Sequence, residues 1–515
     1  MRLFTFLVIS ALTRTLAAAQ DLDVLAPAKE LFNQGKFQEA AADYRLLLEK
    51  GHPSAKAHAG LVRSLLKLDQ VQEAERESQQ ALESFPQSPM AHAARGDVYF
   101  RRALMDLAER EYQSARQIDN HCSRAILGLG RVYSAESKRN QARQLFAQAH
   151  ALDPDDGDAL YYWAIGLPYP QNAEALAKHL AEFRDDAEKE RREREYLEFI
   201  RALAGRRIWI AARDIERSEL KLETMLAPVP RGGQMENQPP LSSGLAMVPR
   251  GVGLRVKLND TAASTFLLDT GASGLTIGKK LAEKIGAMRL SGQSLEGLGN
   301  AGPASGYNAW VDKINIGDLE FHDCVVHVSV KNDMDGEGED GLIGTDIFDQ
   351  YLVTLDFPGR KLLLRPLPTT AETSDDSDRG TGPFSRILSF GHLLLLPTKA
   401  GPAASGLFII DTGAHSDFIS TALALQAGKL HDSDAPVQGI SGQVKDVRAL
   451  DNVVLQFSGY NQISERLLTI DMHAQSKALG AEVSGLIGFP TWRKMRVIIN
   501  YRDGLVDFFY AGQKK

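Results

Sequence analysis

Cysteine is almost missing from this chain: 515 residues contain two, Cys122 and Cys324. That count excludes a disulfide-built scaffold and a cysteine-held zinc cluster, and it predicts two free thiols in different domains. Positive charge is not in excess either. There are 59 Lys and Arg against 66 Asp and Glu, a net charge of −7, and no basic cluster. Nucleic acid is therefore excluded as a partner, since binding phosphates needs a basic face. Beyond the N-terminus no apolar run approaches the roughly 20 residues that span a bilayer, so no stable membrane insertion is expected. His-Glu-x-x-His, a phosphate-cradling P-loop and Gly-x-Ser-x-Gly are absent, and the last absence argues against a serine hydrolase. Nothing in the sequence calls for a cofactor.

What is present has ordinary soluble-protein composition, 43% hydrophobic and 24% charged. The length suggests about three domains, each able to bury a core. At the N-terminus, Arg2, the short apolar run Leu3–Leu12 and the small-residue site Ala17-Ala18-Ala19 read as an export signal. The expected mature chain starts near Gln20 and is periplasmic or secreted. A buried first helix is the alternative.

An internal period follows. Ala40, Ala74, Ala108 and Ala142 are spaced by 34 residues. Leu31, Leu65, Tyr99 and Tyr133 precede them in register. Tyr44, Ser78, Tyr112 and Phe146, then Leu47, Ala81, Ala115 and Ala149, follow in register. Small residues and aromatics in fixed columns let paired helices pack closely. These columns resemble the tetratricopeptide repeat, over four repeats at about residues 21–156. The resemblance implies a helical solenoid that presents a protein- or peptide-binding surface; a purely structural spacer is the alternative. Residues 171–226 are expected to continue as helix, with the charge-dense stretch Glu182–Arg201 forming a solvated face.

The texture changes after residue 244, where short β-type runs alternate with Gly-rich turns. Pro-, Gly- and Ser-containing stretches at 227–243 and 366–385 read as linkers, the second splitting this β region in two. The two halves repeat one another. Phe266-Leu-Leu-Asp269-Thr270-Gly271-Ala272 matches Phe408-Ile-Ile-Asp411-Thr412-Gly413-Ala414 at an offset of 142. Gly297-Leu-Gly299 matches Gly439-Ile-Ser441 at the same offset, and Gly341-Leu-Ile-Gly344 matches Gly485-Leu-Ile-Gly488 at 144. A lone Asp-Thr-Gly is a weak signal. Two copies, each after an apolar strand and each with the same downstream partner, are a strong one.

This pair of motifs resembles the two-lobed aspartic peptidases, pepsin-like in carrying both lobes on one chain and retropepsin-like in Asp-Thr-Gly-Ala and small lobes. It looks most like the bacterial aspartyl-protease family proteins that follow tetratricopeptide repeats. The resemblance implies that Asp269 and Asp411 meet across a pseudo-two-fold axis as the catalytic pair. Thr270 and Thr412 would brace the two loops, Gly271 and Gly413 would allow close approach, and the segments ending in Gly344 and Gly488 would support each loop. Residues 297–310 fall where a flap hairpin is expected, with Tyr307 or Trp310 as its substrate-facing aromatic. Two close carboxylates share one proton, so one acts as acid and the other as base toward a water. Ala272 and Ala414 stand where pepsins carry a hydroxyl residue, which predicts raised carboxyl pKa values and activity at mildly acidic pH. His415 is expected to perturb the second lobe.

Other clusters read as structural. His322-x-Cys324-x-x-His327 is expected to be an ordinary strand with a buried thiol rather than a metal site. The acidic stretch Asn332–Asp340 fails the EF-hand pattern, because Lys331 and Leu342 fall at its first and twelfth positions. No metal is expected.

The expected fold class is multidomain, an all-α tetratricopeptide solenoid followed by an all-β two-lobed aspartic-peptidase fold. The expected divisions are signal 1–19, repeats 20–165, helical extension 166–226, linker 227–243, lobe 244–365, linker 366–385 and lobe 386–515. The expected function is an exported aspartic endopeptidase acting on peptide or protein, with a possible protein partner on the repeats. The alternative is a catalytically inactive adaptor that uses a peptidase-like fold to bind peptides. Pairing of each lobe with a lobe of a second chain ranks last.

Overall fold

The computed structural model describes residues 24–50, 54–228, 247–330, 340–368 and 384–510. The export-signal residues, most of both linkers and the acidic stretch 332–339 lie outside them. The chain divides into two compact units, residues 1–133 with 139–194, and residues 134–138 with 195–515.

The first unit is built of helix pairs. Residues 24–33 precede Phe37–Glu49; then come Ala55–Lys67 with Val71–Ser84, Pro89–Arg101 with Met105–Ile118, and Ser123–Ala135 with Arg139–Leu152. A further pair, Gly157–Ile165 and Gln171–Glu182, extends the series. The period-34 alanines sit where helices touch: Ala40, Ala74 and Ala108 are 0% exposed and Ala142 is 2% exposed. The aromatic column explains the glycines opposite it. A Cβ on Gly96 would lie 2.6 Å from the Tyr112 ring, and one on Gly130 would lie 2.6 Å from Phe146. Glycine there lets the ring of one helix rest on the backbone of the next.

The charge-dense helix Ala187–Leu203 is only half solvated. Arg194 pairs with Glu190 at 3.0 Å on an exposed face, as expected of i,i+4 spacing. Lys189, however, joins a buried network. It pairs with Asp185 at 2.5 Å, Lys67 bridges Asp185 and Asp158, and Arg124 bridges Asp158 and Asp97. Spacing along the helix does not reveal this, because Lys67 and Arg124, which tie the network together, lie 118 and 34 residues from the aspartates they meet.

The second unit is β-rich, and it begins earlier than the sequence suggests. The helical extension stops at Leu203, and Ile210–Ala211, Ser218–Lys221 and Glu223–Pro228 are already strands. Alternation decides this: Ser218 and Leu220 point inward while Glu219 and Lys221 point outward. The first lobe is a nine-stranded sheet, running from Ile210–Ala211 through the central strands Leu275–Gly278, Gly341–Gly344, Ser264–Asp269 and Met247–Leu258 to the hairpin Met288–Leu295 and Ala304–Ile316. The second lobe is an eight-stranded sheet with the equivalent centre, Ala404–Ile410, Gly485–Ile487 and Phe418–Ser420.

A six-stranded sheet joins the lobes. Tyr351–Asp356 of the first lobe pairs antiparallel with Met495–Asn500 of the second, Val353 opposite Ile499 and Leu355 opposite Val497. Thr354 lies opposite Ile498, and these two positions are separated by 144 residues, the offset of the internal repeat. The pseudo-two-fold axis therefore passes between them. Among the described residues no helix is long and apolar enough to cross a membrane.

Candidate active site

The aspartate loops are set by strand register. Gly341-Leu342-Ile343-Gly344 runs parallel to Phe266-Leu267-Leu268-Asp269, residue for residue, and Gly485–Ile487 runs parallel to Phe408–Ile410. The Asp411 N–H donates to the Ile487 carbonyl at 3.0 Å. Gly344 and Gly488 lack side chains because the loops lie against them. A Cβ on Gly344 would meet the Ala272 carbonyl at 2.5 Å, and one on Gly488 would meet the Ala414 carbonyl at 2.8 Å.

Across the axis the loops are tied by a reciprocal hydroxyl pair. Thr412 Oγ1 accepts from the Thr270 N–H at 3.0 Å and donates to the Leu268 carbonyl at 3.0 Å. Thr270 Oγ1 accepts from the Thr412 N–H at 3.0 Å and donates to the Ile410 carbonyl at 2.6 Å. Both threonines are 1% exposed. The structure thus brings Asp269 and Asp411 together, and their carboxyl groups are hydrogen-bonded to one another. A Cβ on Gly271 would stand 2.9 Å from Asp411 Cγ and 3.2 Å from Asp269 Oδ1, and one on Gly413 would stand 2.4 Å from Asp269 Cγ, so both glycines are required by space.

Desolvation pushes both carboxyl groups upward, and their stabilisers differ. For Asp411 the charge of Asp269 adds to burial and raises it well above the usual aspartate range. N–H groups of Gly413 and Ala414, at 3.0 and 2.8 Å, partly offset this. Asp269 is raised too, but it is held back by the Gly271 N–H at 2.7 Å, by the hydrogen bond from Asp411 and by the charge of His392. Burial and their mutual proximity leave the two carboxyl groups to share one proton.

Each loop also has a carboxylate brace that the internal repeat conceals. In the first lobe Asp346 accepts from Ser273 Oγ and the Gly274 N–H, both at 2.9 Å. In the second, Asp417 accepts from the Gly488 N–H at 2.7 Å and Thr491 Oγ1 at 2.8 Å. One brace follows the Gly-Leu-Ile-Gly segment and the other follows the Asp-Thr-Gly loop, so aligning the halves does not match them. His415 is exposed. The histidine that bears on the pair is His392, from the hairpin Leu388–Phe390 and Leu393–Ala400; in the sequence it is a single residue after a glycine, with no motif around it.

The flap hairpin is placed differently from expectation. Its tip is the loop 296–303 between Met288–Leu295 and Ala304–Ile316, so Tyr307 and Trp310 lie in its shaft. Arg289 stacks on Tyr307 at 4.9 Å, and Trp310 donates to Asp312 at 3.1 Å. The repeated Gly-Leu-Gly and Gly-Ile-Ser segments are the tips, and they touch. The Ala301 N–H donates to the Ser441 carbonyl at 2.8 Å, and the Ser441 N–H donates to the Leu298 carbonyl at 2.9 Å. Of the other cluster, Cys324 is buried, His322 pairs with Glu320 at 2.9 Å and His327 with Asn308 at 2.9 Å.

Residues 254–347 match the family model described as aspartyl protease, and residues 31–98 match the tetratricopeptide repeat model. The chain carries an aspartyl protease domain and tetratricopeptide repeats. The protease match covers Asp269-Thr270-Gly271 and Gly344, that is, the first lobe; the second lobe supplies its own Asp-Thr-Gly by internal repetition. No curated protein matches the chain. Solved structures that match include one titled as the APC/C hetero-tetramer Cut9-Hcn1, at 17% identity over 35% of this chain and 35% of that one, with a TM-score of 0.31. Another is TTC0263, a thermophilic TPR protein in Thermus thermophilus, at 19% identity over 34% of this chain and 95% of that one, with a TM-score of 0.27.

Proposed function

We propose that this protein is an exported aspartic endopeptidase in which Asp269 and Asp411 activate a water for attack on a peptide carbonyl, with the repeats engaging a protein partner. The observation that carries the reading is the hydrogen-bonded carboxyl pair, held by reciprocal threonines. Asp269 takes a proton from the water as it attacks. Asp411 gives its proton to the carbonyl oxygen, which becomes the second hydroxyl of a tetrahedral diol. The diol collapses as a proton reaches the leaving nitrogen. No covalent enzyme intermediate forms, as in aspartic proteases generally. The touching tips of the two hairpins part to admit an extended polypeptide, which binds by backbone hydrogen bonds.

Cleavage of a peptide library from about pH 3 to pH 7 tests the reading, with the parent, Asp269→Asn and Asp411→Asn side by side. Cleavage that vanishes in both variants supports it. Undiminished cleavage in either variant, or none by the folded parent, overturns it. N-terminal sequencing of the mature protein tests export, with a start near Gln20 expected.

A further inference from the structure

We propose that His392 is a positioning residue for the carboxyl pair, reaching across the lobes to the Asp269 loop and, when its ring is charged, favouring Asp269 as the ionised member and hence as the base. The inference rests on the peptidase reading above and deepens it.

His392 occupies the turn between Leu388–Phe390 and Leu393–Ala400, with Phe390 opposite Leu393 across a two-residue turn. Gly391 opens the turn at a φ of +62°, which suits a tight hairpin connection and leaves the next side chain little freedom of placement. From there His392 Nε2 donates to the Gly271 carbonyl at 3.2 Å. Gly271 is the residue whose N–H donates to Asp269 Oδ1 at 2.7 Å. A second-lobe side chain therefore reaches into the first-lobe aspartate loop, and its charge favours the Asp269 carboxylate.

The first lobe pairs the equivalent strands, Glu223–Pro228 with Met247–Leu258, joined through residues 229–246 rather than by a two-residue turn. Gly253 lies opposite Leu267 and Leu395 lies opposite Ile409, which puts Arg250 at the register position matching His392. Each lobe thus carries a basic residue at this register position, an arginine in the first and a histidine in the second. The charged and titratable groups facing His392 are Asp269 and, through it, Asp411; His327 from Leu319–Ser329; and Asp346 beyond His327. Asp346 offsets part of the His327–His392 repulsion.

The sign follows from Coulomb's law. A cation beside Asp269 lowers its pKa, so the base is available at lower pH, and removing the cation moves the acid limb of the rate profile upward. Gln at this position keeps a donor for the Gly271 carbonyl without the charge. Arg restores a charge with a donor. The acid limb of kcat/KM is expected to rise by about half a pH unit or more in His392→Gln, and to return to the parental position in His392→Arg. At a pH one unit below the parental limb, His392→Gln is then at least about threefold slower than the parent, while the two converge near the optimum. An acid limb unchanged in His392→Gln, or displaced equally in Gln and Arg variants, overturns the proposal.

A second readout does not depend on turnover. An alkyl epoxide esterifies an ionised carboxylate, which opens the ring as the departing oxygen takes a proton. Mass spectrometry of the labelled parent is expected to find the ester on Asp269, with a labelling limb that moves upward in His392→Gln. Labelling on Asp411 instead overturns the proposal even if peptides are cleaved. The expected labelling with no cleavage by the parent sustains it while removing the peptidase reading.

Discussion

Replacing Thr412 by Val is the sharpest test of how the two loops are held. The substitution preserves volume and removes one hydroxyl that is 1% exposed. Two groups then lose a partner, the Thr270 N–H and the Leu268 carbonyl. A buried polar group left unpaired costs about 1–3 kcal/mol, so the loop junction should weaken by about 2–6 kcal/mol. Thr412→Ser keeps the hydroxyl and loses one methyl group, about 1 kcal/mol. Hydrogen exchange followed by mass spectrometry reads this locally, on peptides covering 266–272 and 408–414. Exchange there should accelerate at least about 25-fold in Thr412→Val, because 1.4 kcal/mol is about tenfold, and far less in Thr412→Ser. Rates within about threefold of the parent in Thr412→Val would refute the reasoning, since a spare acceptor would then have to serve Thr270.

Other outcomes follow from the same geometry. Both aspartates have folded pKa values above the usual aspartate range; their contribution to stability is full below about pH 4 and lost as pH rises through the folded values, so Asp411→Asn should be more resistant to denaturant than the parent near neutrality and equal to it in acid. Gly299, at a φ of +130°, would place a Cβ 2.5 Å from the Gly442 carbonyl; Gly299→Ala should separate the hairpin tips, seen as faster exchange at 297–301 and 439–443, and unchanged exchange would refute the contact. Trp492 is 0% exposed and its Nε1 donates to the Ile487 carbonyl at 2.6 Å; Trp492→Ala should cost about 3–5 kcal/mol in a denaturation series. Asp158 is held well below the usual aspartate range despite burial, by Lys67, Arg124 and Arg63; Asp158→Asn should destabilise the helical unit by about 3–5 kcal/mol at neutral pH, a difference that closes in acid as the parent's carboxylate takes up its proton.

The sequence carried the architecture where the signal was periodic or repeated. Alanines every 34 residues located the helix pairs, and two offsets of 142 and one of 144 marked the aspartate loops, the supporting segments and the repeated glycine-containing segments that prove to be hairpin tips. What it concealed was whatever the repeat does not copy. Asp346 and Asp417 brace opposite ends of equivalent loops, so no alignment of the halves pairs them. His392 acts from a hairpin more than 100 residues from the loop it touches, while His415, adjacent to the motif, faces solvent. Tyr307 and Trp310 follow a Gly-rich run, but a hairpin's tip is set by where its pairing ends, and pairing ends at Leu295 and Ala304. The strands at 210–228 are hidden inside a charged stretch because few apolar side chains there, Ile215, Leu220, Leu222 and Met225, are buried.

The joint between the lobes has a consequence for how the chain tolerates being cut. Tyr351–Asp356 and Met495–Asn500 cover each other's edges, and in either lobe alone that edge would be unpaired, although each strand keeps its neighbour on the other side, Lys361–Pro366 or Leu505–Tyr510. A lobe produced by itself would expose that edge and be driven to pair with a copy of itself. Once folded, though, the two halves are held by the shared sheet and by the threonine ties, not by the peptide that links them. A nick within 366–385 would therefore leave one particle made of two polypeptides, with both aspartates still facing each other. Covalent continuity matters for assembling this molecule and is dispensable for keeping it assembled.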